Sequence, residues 1–313
     1  MTYFESSIVT IISLSTPLVF VVLGETITER SGVVNLSIEG TLLLTALTAF
    51  AVAEATNNAL LGLLVAGLVG SFIALIIVLC DLKLSMNQIA IGFVLTILCG
   101  KLSSFLGQNY VRIPGPSLPK INLPILKEIP FIGPSLFNQN FLVLLSVSLI
   151  PIVWFFLYRT RLGLNLRSVG ENPTSAMNRG INPENMRILG TIIGGFMIGI
   201  GGAAFSLHAK YGWSEGHTGN YGWICLAIVI FGGWNPIRAA LGAYAFGGFQ
   251  LVALKMQSTT LGFTQVLPLI PFPLMIMTLI FIQMFNGEKR KKLPFFLRPI
   301  IGGIEPGSLG KPL

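Results

Sequence analysis

Apolar runs of about 20 residues recur along this sequence, and no other feature restricts its fold as much, because that is the length a helix needs to cross the ~30 Å hydrocarbon core of a bilayer. They lie near 8–24, 36–54, 59–79, 88–106, 141–157, 188–207, 223–234, 237–254 and 266–285. This predicts nine membrane spans, with eight to ten as the range. The chain is 53% hydrophobic and only 10% charged, where soluble domains carry about 25% charged residues, so it cannot cover a water-facing surface. A membrane barrel would show ~10-residue segments of strict alternation, which are absent. The expected fold is an all-α polytopic membrane protein. It forms one transmembrane domain over 1–313, with a broken or re-entrant segment near 25–39.

The polar interruptions orient the spans. The stretch 158–187 carries Arg159, Arg161, Arg167, Arg179 and Arg187 against only Glu171 and Glu184. A dense cationic loop between two apolar walls reads as cytoplasmic, because retained loops collect Lys and Arg. Alternating sides from there places Arg30, Lys83, Arg238, Lys289–Lys292, Arg298 and Lys311 on the same side. Only Lys101, Arg112, Lys120, Lys127, Lys210 and Lys255 fall opposite, six of the 20 basic residues. This gives a cytoplasmic loop 159–187, an outer Pro-rich loop 107–139 and a basic cytoplasmic tail 286–313. The net charge of +8 and pI near 9.6 follow from this topology, and nucleic acid is not an expected partner. Residues 1–7 lack Lys and Arg, so the cationic start of a cleavable signal peptide is missing. Cys80, Cys99 and Cys225 sit in or at the ends of apolar runs, where thiols act as small hydrophobes; no disulfide framework is expected.

No enzyme emerges from the residues. HExxH, CxxC and GxSxG are absent, and GSLGKP at 307–312 lacks the spacing of a phosphate-cradling GxxxxGK[ST] loop. No catalytic residue, metal site or bound cofactor is expected. His208, His217 and Glu215 read as an outer segment with interfacial Tyr211, Trp213 and Tyr221 rather than as a metal set. The functional candidates are polar groups at or near membrane depth: Glu25, Asn35, Glu39, Asn87 and Gln88. An ionisable group in a helix centre costs about 3 kcal/mol on insertion scales and so faces a cavity or a partner. The alternative for Glu25, Glu29 and Arg30 is a helix cap at the cytoplasmic surface. Within the Arg-rich loop, Asn172-Pro173 and Asn182-Pro183 are helix starts, since Asn is a favoured N-cap and Pro fits the first turn. Gly180 supplies a stop between them. A short two-helix elbow follows.

Three stretches carry a family resemblance. GETITERSGVVNLSIEG at 24–40, LRSVGENPTSAMNRGI at 166–181 and LGAYAFGGFQ at 241–250 resemble signatures of permease subunits of bacterial ATP-binding-cassette importers. The group is the one that includes branched-chain amino acid, ribose-type sugar and nucleoside permeases, and the likeness is to its nucleoside and simple-sugar branch. LSMNQIAIGF at 84–93 is a looser match, with Gln88 where an acidic residue is usual. The resemblance implies a coupling loop made of Arg167, Ser168, Val169, Gly170, Glu171, Asn172, Pro173, Ala176, Gly180 and Ile181. It implies an inner-membrane permease working with a second homologous permease, two ATPase subunits or domains that bind ATP and Mg, and an extracytoplasmic lipoprotein or periplasmic binding protein. Nucleosides are the preferred cargo, with simple sugars and branched-chain amino acids next. A self-sufficient secondary transporter would show inverted repeats and midplane charges in several helices, which the sequence lacks. Replacing Gly170 by Trp together with Glu171→Arg is expected to stop uptake while leaving insertion intact.

Overall fold

The computed structural model describes residues 3–111, 113–115, 118, 140–257, 305–311 and 313, with isolated positions between 269 and 280. Ten α-helices occupy the described residues. They are α1 (Tyr3–Arg30), α2 (Ile38–Thr56), α3 (Ala59–Leu84), α4 (Gln88–Gly107), α5 (Phe141–Arg159), α6 (Arg161–Glu171), α7 (Pro173–Met177), α8 (Pro183–Ala204), α9 (Tyr221–Phe231) and α10 (Pro236–Gln257). Seven helical stretches are long and apolar enough to cross a membrane, and Tyr221–Phe231 is a shorter apolar helix. Eleven residues rising 1.5 Å each reach about 16 Å, half a bilayer core, so α9 is a half-span. The expected span at 266–285, most of the Pro-rich loop 107–139 and the tail up to residue 304 lie outside the described residues.

The bundle is built around α8, which packs against α1, α2 and α3. Apolar helices gain little from burial against one another when lipid is equally apolar, so they associate through small residues that let backbones approach. The glycines of α8 do this on several faces. A Cβ at Gly194 would stand 2.6 Å from the Gly24 carbonyl oxygen of α1, and one at Gly195 2.7 Å from the Gly70 carbonyl oxygen of α3. Gly202 in turn leaves room for Thr45 of α2. By contrast α4 buries one narrow stripe, Gln88, Ile91, Gly92, Leu95, Cys99, Ser103 and Gly107, and exposes Phe93, Val94, Ile97 and Phe105. That pattern suits a helix at the rim, facing lipid or a partner.

The segment expected to be broken or re-entrant is broken, but later than its polarity suggests. Helix α1 runs unbroken through Glu25 and Glu29 to Arg30, and the break occupies 31–37. Side chains satisfy backbone groups of the break, as needed away from water. Val34 N donates to Gln88 Oε1 at 2.8 Å, Ser37 N donates to Asn35 Oδ1 at 3.0 Å, and the Thr96 hydroxyl donates to the Leu36 carbonyl at 2.7 Å. Gly32 takes φ +93°, a left-handed turn that favours glycine.

Candidate functional site

The elbow at 159–187 is assembled by short-range rules. Thr160 caps α6 by accepting from Gly163 N at 3.0 Å, Asn172 caps α7 by accepting from Ser175 N at 2.9 Å, and Asn182 caps α8 by accepting from Asn185 N at 3.2 Å. Pro173 and Pro183 sit in the first turns. Gly180, at φ +80°, reverses the chain between α7 and α8. Both Asn-Pro starts and the glycine stop therefore lie where the sequence places them.

The ten elbow candidates fall into two groups. Glu171, Asn172 and Gly180 are exposed, and Pro173 and Ile181 are half-buried beside the open Thr174 and Met177. These form the outward surface. Val169, Gly170 and Ala176 are buried, the Ser168 hydroxyl donates to the Leu164 carbonyl, and Arg167 donates to the Leu157 carbonyl at 2.8 Å with its guanidinium 4.6 Å from the Tyr158 ring. This second group holds the elbow in shape. Gly170 presses on α1 so closely that any Cβ would overlap the Arg30 carbonyl. Gly170→Trp would therefore disrupt the fold, contrary to the expectation that it spares insertion, and exposed Met177 is the cleaner probe.

From the elbow a polar path leads inward. Glu171 Oε1 pairs with Arg30 Nη1 at 3.4 Å. Arg30 Nε donates to the Trp234 carbonyl at 2.9 Å and Nη2 to the Gly233 carbonyl at 3.3 Å. The Trp234 indole N–H donates to Glu29. Residues 232–236 are thus gripped by α1, whose Arg30 also pairs with the elbow. Glu25 lies one helical turn from Glu29, fully buried, and neither of its carboxylate oxygens forms a hydrogen bond. An unpaired group so deep is costly and marks a functional candidate in a membrane protein.

At its far end α9 meets α2. Glu39, in the first turn of α2, accepts from Gly222 N at 2.7 Å, Asn220 N at 3.2 Å and the Thr218 hydroxyl. Gly222 permits the approach, since a Cβ there would stand 2.7 Å from the Glu39 Cα. One carboxylate therefore joins the N-termini of two interrupted helices, whose dipoles both favour negative charge there. Half-helix N-termini such as that of α9 build binding sites in transporters.

The structure thus brings Glu25, Asn35, Glu39 and Gln88 around the break. It does not bring Asn87, which is exposed and caps α4 by accepting from Ile89 N at 2.9 Å. Asn35, Gln88 and Glu39 spend their oxygens on backbone N–H groups, whereas the Glu25 carboxyl, beside Asn35 and Glu29, makes no close hydrogen bond. Sequence reasoning missed Thr218, Trp234, the buried ion pair Arg187–Asp81 (3.2 Å) and Ser308. The two histidines do not pair: His208 contacts Ser13 and Asn140, each at 3.1 Å, and His217 lies in 210–220. Among the described residues no three His, Cys, Asp or Glu side chains cluster as a metal set.

Comparison with known proteins adds a second line. Residues 7–282 match the model of the family described as branched-chain amino acid transport system / permease component. The Haloferax volcanii protein TsgC13, named provisionally as a glucose ABC transporter permease protein, is 37% identical over 82% of this chain and 79% of its own. The nucleoside ABC transporter permease protein NupC of Lactococcus lactis is 33% identical over 77% of this chain and 79% of its own. The guanosine ABC transporter permease protein NupQ of Bacillus subtilis is 34% identical over 74% and 76%. No solved structure matches the chain significantly.

Proposed function

The chain belongs to the branched-chain amino acid transport system / permease component family, and from that premise we propose that it is half of the conduit of an ATP-driven nucleoside importer. A second homologous permease supplies the other half. Two ATPase subunits or domains bind ATP and Mg and hydrolyse the nucleotide, and an extracytoplasmic binding protein or lipoprotein delivers the cargo. The assembly sits in the cytoplasmic membrane with the elbow, the basic loop and the segment 305–313 on the cytoplasmic side. That sidedness is supported by the cationic load of 159–187 and by Arg30 and Lys83, which lie against its residues Glu171 and Glu184. The chain works as a single transmembrane domain.

The observation that carries this reading is the unbroken contact from exposed Glu171 through Arg30 and Trp234 to Glu29. An ATPase that docks at 172–181 moves the elbow, and Arg30 passes the motion to the turn at the end of α9. Because α9 is a half-span tied at its other end to Glu39, tilting it changes the packing around Glu25 and the break. Glu25 is occluded in this arrangement, and the movement of α9 gives it access to the pathway. Its free oxygens suit the hydroxyl and N–H donors of a ribose or base. Nucleosides are neutral, so no excess of buried cations is required to conduct them.

Guanosine uptake tests the assignment. Cells lacking this chain should lose entry of labelled guanosine and regain it on complementation, while glucose entry is unaffected. Glu25→Gln, which keeps the size and replaces one carboxyl oxygen by an amide N–H group, should cut uptake about tenfold or more with unchanged membrane abundance, the effect of one or two lost hydrogen bonds. The sugar reading is favoured by the TsgC13 name; loss of glucose entry with guanosine entry intact would establish it instead.

A further inference from the structure

We infer that residues 305–311 form a strap that makes the elbow and the α1–α2 break one mechanical unit, and that Ser308 is its positioning residue. The inference rests on the coupling role proposed for the elbow. It concerns a part of the chain that neither the motifs nor the polar path accounts for.

The strap lies in a cleft between three elements. Ser308 N donates to the Gly170 carbonyl at 2.9 Å, and its hydroxyl lies 2.7 Å from the Gly170 carbonyl and 3.0 Å from that of Val169. These are the last carbonyls of α6, which a helix leaves without internal partners. Gly310 N donates to the Gly32 carbonyl at 3.2 Å, a backbone acceptor inside the break itself. Arg187 Nη2 of α8 donates to the Ser308 carbonyl at 3.4 Å, and Gly307 N donates to Glu171 Oε2 at 3.3 Å. The fit is close, since a Cβ at Gly32 would stand 2.8 Å from the Ser308 hydroxyl. Ser308 is buried, Leu309 packs on the main apolar cluster, and Leu313 reaches the groove of about 470 Å³ that also touches Met177 and Ile181.

No other described segment bonds to both the end of α6 and the break. Without the strap, the direct links between them are Gly170 against the Arg30 and Gly32 backbone and the Glu171–Arg30 pair at 3.4 Å, and the latter is half exposed and weak in water. That pair leads to the α9–α10 turn through the Gly233 and Trp234 carbonyls, and none of its hydrogen bonds reaches 31–37. The strap adds a path to the break itself, through the buried Ser308 at the end of α6 and the Gly310 N–H bond to Gly32.

The test is the number of substrate molecules moved per ATP hydrolysed by the assembled importer in proteoliposomes. Ser308→Ala removes the hydroxyl and keeps the backbone bond; it should lower that ratio about fivefold, the effect of one or two lost hydrogen bonds. Truncation before residue 305 should lower it further, with ATP hydrolysis and ATPase retention on the membrane preserved. Because truncation can lower folding yield, Ser308→Ala at normal abundance is the deciding variant, and Ser308→Thr, which keeps a hydroxyl, should recover part of the ratio. A wild-type ratio in Ser308→Ala and in a well-folded truncation overturns the strap. Met177→Glu separates the two readings. If it releases the ATPase while the strap variants stay fully coupled, the strap alone is wrong; if it leaves ATPase binding and uptake intact, the elbow reading falls.

Discussion

Asp81→Ala would leave the Arg187 guanidinium, with a side chain 0% exposed, without the carboxylate it pairs with. Removing one member of a buried pair costs about 3–5 kcal/mol, because the survivor is an uncompensated charge. Thermal unfolding in detergent should show that loss for Asp81→Ala, and Asp81→Ala with Arg187→Met should recover most of it. Glu39→Ala should free the first turn of α9, read as faster hydrogen exchange at Asn220 and Gly222, while Glu39→Gln keeps an acceptor and changes exchange less. His217 gives a pH dependence. Burial pushes its imidazole down from the ordinary 6.5 to about 4, so the folded segment 210–220 holds it neutral. The opened segment binds more protons between those values. Its ordering is therefore complete above pH 6.5 and lost as pH falls toward 4. Amide protection factors at 210–220, exchange measured relative to the intrinsic rate at each pH, should fall over that window, and His217→Asn should flatten the fall. At this scale the sequence disclosed what is local. Asn172, Asn182 and Gly180 act on neighbours a few positions away, whereas Thr218, Trp234 and Ser308 find partners 179, 205 and 138 positions away, which no local pattern announces.

Helices show the same division. Runs of apolar residues located every described span, because length against bilayer thickness is a property of the sequence alone. The end of α1 was misplaced, since Glu25 and Glu29 look too polar for a buried helix until Trp234 bonds Glu29 and the packed bundle buries both. Gly-rich α8 reads from spacing as a packing surface, and the contacts give that reading a sharp test. A Cβ at Gly199 would overlap the Ala66 carbonyl of α3, while one at Gly248 of α10 meets nothing within 4 Å. Gly199→Val should therefore abolish the folded protein in membranes. Gly248→Ala should be tolerated, or raise stability by up to about 1 kcal/mol through helix propensity. Membrane abundance and thermal midpoint of the two variants check the contrast.

For the whole molecule, the sign of the loops and the half-span α9 matter together. A cationic end that holds the elbow, the α9–α10 turn, the strap and the start of the break at Gly32 is one mechanical face, and Glu39 lies beyond it at the other end of α9. Fold class and the outward surface of the elbow were legible because both follow from hydrophobicity and capping. The polar path was legible only as scattered residues, because three of the five pathway candidates proved to satisfy the backbone of the break or the N-terminus of α9. The central claim is that an ATPase engages this chain at 172–181 from the cytoplasmic side. Labelling Met177→Cys with a membrane-impermeant maleimide tests it most directly. No labelling in intact cells, labelling in inside-out vesicles stripped of the ATPase, and protection when the ATPase is restored is the expected result; labelling from outside intact cells, or no protection by the ATPase, would contradict it.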